Sequence, residues 1–305
     1  MSTPVTVIGG YLGAGKTTLI NTLLRQADGH RLAVLVNEFG ALSIDEDLIL
    51  AQEGDVISIA GGCICCTFGD NLVGAFTDLL SLSPPPDHLI IEASGVAIPS
   101  SIAATLSLVQ GVTLHGTVVL LDAETVQKRA RDTYIGDTIT RQIETADLLL
   151  ATKADLVDDG HLDILRDWLG TLTARAALLP VRHGAVPNEV VLGLPARPDT
   201  LSVRALEDHG ALYSSLTLYQ TAPADPHALI RAFEDSHFGT LRAKGHFRNA
   251  AQQVMELQGT GVRLTLTPAS RDPVALAIVF IGLKTELDKD GITKALSPLN
   301  FHPKT

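Results

Sequence analysis

Cysteine, methionine and aromatic residues are scarce in this 305-residue chain: three Cys, two Met, one Trp, and aromatics at 4 %. An odd number of cysteines, confined to Cys63, Cys65 and Cys66, excludes a disulfide framework. In a reducing compartment the cluster reads instead as metal or redox chemistry. Basic residues are also short, with 23 Lys and Arg against 34 Asp and Glu for a net charge of −11. That balance speaks against nucleic acid and anionic lipid as partners, and for cations, small molecules or other proteins. Long apolar runs are missing. Mean hydropathy is +0.24, yet the longest run, Val274 to Leu283, falls far short of the roughly 18 residues a membrane span needs. Met1-Ser2-Thr3-Pro4 places no basic segment before an apolar stretch. No secretory signal and no membrane association are therefore expected, and the expected compartment is the cytoplasm.

What is present is apolar side chain in quantity, at 46 % of residues, enough to bury a sizeable core. The length suggests two domains of about 150 residues each. Short apolar runs at Val5–Gly9, Arg31–Val36, Asp55–Ala60, His88–Glu92, Thr117–Leu121 and Leu148–Ala151 read as strands. Helix-like stretches at Lys16–Gln26, Asn71–Ser81, Ile98–Val109 and His161–Leu172 alternate with them. This alternation predicts an α/β domain over residues 1–186, with a mostly parallel sheet covered on both faces. Proline-rich 187–209 reads as a linker. Residues 210–305 read as a small α+β domain: strands near Ala211–Leu218, Leu241–Leu257, Val262–Thr267 and Ala275–Ile281, and helices near Pro226–Asp235 and Leu287–Leu296.

Gly10-Tyr-Leu-Gly13-Ala14-Gly15-Lys16-Thr17, followed by Thr18, matches the phosphate-loop pattern in the required place, after a strand and opening a helix. Its glycines let successive N–H groups converge on phosphate oxygens, and the helix N-terminus adds positive potential. Lys16 reaches the β- and γ-phosphates and Thr17 offers a hydroxyl to Mg²⁺. Glu92, ending the strand Leu89-Ile-Ile-Glu92, is placed to hold that Mg²⁺ or orient the attacking water, and Gly95 lets its N–H approach the γ-phosphate. Asp122 is a second strand-end acid whose role stays open between structure and function.

Thr152-Lys153-Ala154-Asp155 closes another apolar strand. Guanine presents a paired N1–H and N2–H₂ edge that one carboxylate can accept. Asp155 is therefore the expected reader, and Lys153 can lay its aliphatic stem over the purine. Arg182-His183-Gly184 can add backbone to this pocket.

Gly61-Gly-Cys63-Ile-Cys65-Cys66 gathers three thiols on one tight turn, a set suited to Zn²⁺, Cu(I) and other soft or borderline ions. Three sulfurs with an open fourth position fit an exchangeable site better than a closed structural one. A thiol redox switch is the alternative. Glu38, Asp45 or a histidine can supply a further ligand, and His115 and His183 are candidates beside strands. Residues 37–47 lie between the phosphate loop and the thiols, where a switch segment would sit.

Together these motifs resemble the CobW-like family of phosphate-loop GTPases, across nearly the whole chain. Asn37-Glu-Phe-Gly40, Val119-Leu-Leu-Asp122, Leu241-Arg-Ala-Lys244-Gly245 and Ala277-Ile-Val-Phe-Ile-Gly282 join the similarity. The resemblance implies Mg²⁺-dependent GTP hydrolysis, slow and metal-stimulated, coupled to delivery of a divalent metal, with Zn²⁺ foremost, to a client metalloprotein. It also implies that Cys63, Cys65 and Cys66 are the metal ligands and that Glu92 lies near the phosphates. Thr152 departs from the commoner Asn, and Ala41 from a commoner acid. Alternatives are an activator GTPase dedicated to one cobalt- or iron-dependent pathway, such as cobalamin biosynthesis or a nitrile-hydratase-type client, and a small-molecule phosphotransferase.

Overall fold

The computed structural model describes residues 2–27, 29–37, 56–61, 76, 79–174, 176–193, 213–234, 238–261, 263–269, 273 and 275–303. It divides into two compact units, Met1–Leu192 and Gly193–Thr305.

In the first unit, seven described strands form one sheet: β1 (Thr3–Gly10), β2 (Leu32–Asn37), β3 (Val56–Gly61), β4 (His88–Glu92), β5 (Val112–Asp122), β6 (Leu148–Thr152) and β7 (Ala177–Pro180). Their order is β3-β2-β4-β1-β5-β6-β7, and every pairing is parallel. Neighbouring residues of a strand face opposite sides of a sheet, and Val7 and Ile8 are both fully buried, so both faces are covered. Helix α1 (Lys16–Arg25) contributes Leu19, Ile20, Leu23 and Leu24 to that cover, each burial being worth about 1.5–3 kcal/mol.

Chain order reverses about β1, which lies between β4 and β5. In open α/β sheets a crevice forms at the carboxyl ends of the strands at such a point. The register brings strand ends level there, pairing Ile8 with Glu92 and Asp122 with Thr152.

The described helices after α1 are α2 (Pro99–Leu106), α3 (Val126–Ala130), α4 (Gly136–Glu144), α5 (Asp159–Leu172) and α6 (Asn188–Val191). Helix α3, five residues long, is too short to show a period in the sequence, and α4 shows its apolar face only through Ile139 and Ile143. Strand β5 starts at Val112 rather than Thr117, because Val112–Leu114 pair with Thr3–Val5 ahead of an irregularity between Val5 and Thr6. Where a linker was expected from 187, α6 buries Val190 and Val191, and Asn188 donates to the Leu23 and Gln26 carbonyls at the end of α1.

The second unit is a six-stranded antiparallel sheet of order β11-β10-β9-β12-β8-β13. Its strands are β8 (Tyr213–Gln220), β9 (Thr240–Arg248), β10 (Val254–Thr260), β11 (Arg263–Pro268), β12 (Ala277–Leu283) and β13 (Phe301–His302). Helices α7 (Pro226–Glu234) and α8 (Lys289–Leu296) bring Leu229, Phe233, Ile292 and Leu296 onto Leu218, Phe247, Leu257 and Phe280. The α/β plus α+β architecture is as expected. Among the described residues no helix is long and apolar enough to cross a membrane.

Candidate functional site

Leaving β1, the chain turns through Gly10, Gly13 and Gly15, with φ of 134°, 78° and 93°. Such angles strain any residue with a Cβ. Gly10 has a second constraint, since an added Cβ would stand 2.5 Å from the Leu120 carbonyl oxygen. Gly13 faces open space, with nothing within 4 Å of its missing Cβ. Ala14 is buried, and its N–H donates to the Tyr11 carbonyl. Lys16 Nζ donates to the Gly10 carbonyl at 3.0 Å, closing the loop across its own mouth. Helix α1 then starts at Gly15 with no side-chain cap and no acid in its first turn. Its first N–H groups thus keep their positive potential for an anion.

Thr17 and Glu92 converge from α1 and β4. The Thr17 hydroxyl donates to Glu92 Oε1 at 3.4 Å, and the Glu92 side chain is buried. A hydroxyl and a buried carboxylate meeting beside a phosphate loop are hard oxygen donors that suit Mg²⁺. Gly95, three residues on, is pressed to the phosphate loop: a Cβ there would lie 2.6 Å from Leu12 Cδ2 and 2.9 Å from Leu12 N.

The end of the site that carries Lys153 and Asp155 is assembled from β5, β6 and the turn after β7. Lys153, at φ 57°, directs Nζ to Asp122 Oδ2 at 2.7 Å. Asp122 also accepts the Glu124 and Thr125 N–H groups. Burial pushes the Asp122 carboxyl up, but the Lys153 hydrogen bond and charge outweigh it and hold the group below the usual carboxylate value. Thr152 donates to the Ala14 carbonyl at 2.8 Å and lies 3.1 Å from that of Leu121, tying this strand end to the phosphate loop. Asp155 accepts the His183 backbone N–H at 2.8 Å. That bond, opposed by burial, holds its carboxyl below the usual carboxylate value. His183 Nδ1 also stands 3.4 Å from Asp155 Oδ2. Thr18 is exposed and faces Gly184, whose Cβ would be 3.7 Å from Thr18 Cγ2.

The fold thus brings Gly10, Gly13, Ala14, Gly15, Lys16, Thr17, Thr18, Glu92, Gly95, Thr152, Lys153 and Asp155 to one end of the first sheet. Cys63, Cys65, Cys66 and Glu38 lie outside the described residues, as do 38–47 of the expected switch segment, Asp45 among them. His115 is elsewhere: its ring packs edge-on at 5.5 Å against His88, the first residue of β4, at the amino ends of the strands.

Two side chains at the site have no counterpart in the sequence reading. Arg129 donates to the Leu12 carbonyl at 2.8 Å and lies over the Tyr11 ring. Gln142 is buried and donates to the Gly95 and Ala97 carbonyls at 3.1 and 2.7 Å. Its one sequence signal is a polar residue on the apolar stripe of Ile139 and Ile143.

Comparison with known proteins extends this picture. Residues 4–180 match the CobW/HypB/UreG nucleotide-binding domain, and residues 213–299 match the cobalamin synthesis protein cobW C-terminal domain. A zinc chaperone CobW from Sinorhizobium sp is 32 % identical, with 86 % of each chain covered. A zinc chaperone YjiA from Escherichia coli is 35 % identical over 60 % of this chain and 58 % of its own. Zinc-regulated GTPase metalloprotein activator 1 of Schizosaccharomyces pombe is 30 % identical over 61 % of this chain and 47 % of its own. A crystal structure of Zn(II)-bound YjiA GTPase from E. coli is 24 % identical at a TM-score of 0.47, covering 98 % of this chain and 99 % of its own.

Proposed function

The chain belongs to the CobW/HypB/UreG family of nucleotide-binding proteins, and on that premise we propose that it is a GTP-hydrolysing metallochaperone handing a divalent metal, zinc foremost, to a client metalloprotein. The observation that carries the nucleotide half is the joining of two recognition ends by Thr152. Its hydroxyl links the Lys153–Asp155 strand end directly to the phosphate loop at Ala14. A purine held at one end then has its phosphates delivered to the other.

In this reading Asp155, pre-oriented by the His183 N–H, accepts the N1–H and N2–H₂ of guanine. Lys153, fixed by Asp122, lies along the purine ring. Lys16 leaves Gly10 for the β- and γ-phosphate oxygens, a short swing because both partners border the same loop. Thr17 and Glu92 hold Mg²⁺, Glu92 through water, and the ion offsets charge on the phosphates when bound. Gly95 presents its N–H to the γ-phosphate, and Gly13 and Gly15 shape the cradle. A carboxylate at the site, oriented by the His183 N–H, accepts both donors of the guanine edge and finds no such pair on adenine. This disfavours the phosphotransferase alternative.

The metal half rests on family membership and on the sequence Cys63-Ile-Cys65-Cys66. The three thiolates, with Glu38 as a further ligand, bind the metal as cargo, and residues 37–47 relay the nucleotide state. Linkage then requires that GTP change metal affinity by the factor with which metal changes GTP affinity. The second unit, whose residues 213–299 match the family's C-terminal domain, is assigned to client recognition or nucleotide-state readout, and the setting is cytoplasmic.

The test is a Zn²⁺ titration of reduced, Mg²⁺-loaded protein with GDP, with a non-hydrolysable GTP analogue and without nucleotide, with turnover read on the same samples. A nucleotide-dependent shift in Zn²⁺ affinity, with turnover rising on Zn²⁺ addition, is expected. Equal Zn²⁺ affinity in all three states would leave a GTPase without the coupled delivery.

A further inference from the structure

The 94–97 turn behind β4 is held in an unusual way. Its backbone closes through one bond, Ala97 N–H to the Ser94 carbonyl. A side chain from another element adds to its hold. Gln142 is 1 % exposed and spends its amide nitrogen on two carbonyls, those of Gly95 and Ala97. One amide group has two N–H donors, and both are committed to this turn.

Gln142 is itself fixed. It lies on α4 between Ile139 and Ile143, which pack into the core beside Leu121, Leu149 and Ala151. Gly136, at the start of α4, abuts the Ala130 carbonyl at the end of α3, so the two helices form a tight pair. From α3 the same pair sends Arg129 to the Leu12 carbonyl. Leu12 is the residue against which Gly95 is pressed. One helical pair therefore grips both walls of the phosphate site, the phosphate loop through Arg129 and the Gly95 turn through Gln142.

We propose that Gln142 is a positioning residue for GTP hydrolysis, holding the Gly95 turn where its N–H meets the γ-phosphate. It touches no substrate. Its amide takes the Gly95 and Ala97 carbonyls, which fixes the peptide planes that follow these two residues and so limits how far the Gly95 backbone, with its own N–H, can turn. The inference rests on the assignment of Gly95 to the γ-phosphate made above.

GDP lacks the γ-phosphate, and this gives a selective readout. In Gln142→Met, of similar length but without donors, GDP affinity stays within about twofold while affinity for a non-hydrolysable GTP analogue falls about tenfold, the scale of leaving one buried carbonyl without its partner. The turnover number falls at least as far. Gln142→Glu behaves alike, because a carboxylate accepts and cannot serve two carbonyls. A purely structural Gln142 lowers GDP and analogue affinity together, and that result overturns the proposal, as does a pair of variants neither of which binds GDP. Gly95→Ala separates the two levels of the argument. If it shifts the ratio of analogue to GDP affinity and Gln142→Met does not, Gln142 alone is misassigned. If neither shifts it, the γ-phosphate role of Gly95 is wrong and the proposal falls with it.

Discussion

Lys153 and Asp122 form an ion pair at 2.7 Å across the carboxyl ends of β5 and β6, with the carboxylate 5 % exposed and the lysine 40 % exposed. The lysine stem is thereby fixed, in the proposed function beside the purine ring, and Asp122 gains a partner that its strand-end position alone did not reveal. A buried carboxylate with one cationic partner is a directional anchor: removing its charge frees the lysine without opening a cavity.

Asp122→Asn should weaken both GDP and GTP binding by about tenfold, the usual scale for losing a charge-assisted hydrogen bond. Isothermal titration with each nucleotide checks it. The same substitution has a pH signature. The Asp122 carboxyl is held below its usual value of 3.8, so it stabilises the folded chain at all pH values above that figure. The contribution is lost as pH falls through the lowered native value. The stability gap between wild type and Asp122→Asn should therefore be constant at neutral pH and close below pH 3.8. A gap that widens in acid would contradict the ion-pair account.

Asp155→Asn should cost guanine nucleotides at least about a hundredfold in affinity, as expected when a carboxylate reading two donors is replaced by a group with one acceptor. The new amide donor suits a purine with a carbonyl at C2, so xanthosine triphosphate should gain affinity. Competition between the two triphosphates on wild type and variant reads this directly. Undiminished GTP preference in the variant would remove Asp155 from base reading.

Thr152 stands where the family resemblance leads one to expect Asn, and its hydroxyl has a task that either residue can perform. Thr152→Val removes the donor to Ala14 and should lower GDP affinity by about fivefold, near the net worth of one hydrogen bond. Thr152→Asn supplies two amide donors for the Ala14 and Leu121 carbonyls and should stay within about twofold of wild type. If Asn were as damaging as Val, the tie between base-reading end and phosphate loop would not be what Thr152 provides.

These contacts also mark how far the sequence could be read. The strands β4 and β6 are uninterrupted apolar runs, and fully buried parallel strands look like that. Their ends could be placed to within a residue, and with them Glu92, Lys153 and Asp155. The phosphate loop was legible because its glycines, lysine and threonine are contiguous. Gln142 was not: its function is set by the carbonyls of a turn that only the folded sheet brings beside α4. Arg129 sits on a helix of five residues, too short for periodicity to reveal. His183 was foreseen as a source of backbone, but that its N–H would seize Asp155 depends on the left-handed turn at His183 and Gly184. Asp122 stayed ambiguous for the same reason, since its partner comes from the next strand.

Two glycines of one loop should fail in different ways when each becomes alanine. At Gly10 a Cβ meets the Leu120 carbonyl at 2.5 Å in addition to the strain of φ 134°. The β1–β5 ladder, where Gly10 pairs with Leu120, must give way. Gly10→Ala should therefore lower unfolding free energy by about 3 kcal/mol, a sum of backbone strain and overpacking. At Gly13 the space is open, so only the left-handed conformation at φ 78° is penalised, by about 1–2 kcal/mol. In the proposed function that open space is the phosphate cradle, and the added methyl would stand against an incoming nucleotide. Gly13→Ala should thus keep most of its stability and lose GDP binding, whereas Gly10→Ala should lose stability first. Chemical denaturation and GDP titration on both variants give the four numbers required. Equal stability losses would mean that backbone torsion alone sets the constraint, and that the contact with Leu120 relaxes at no cost. Retained GDP affinity in a well-folded Gly13→Ala would mean that the open side of the loop is not where phosphate binds.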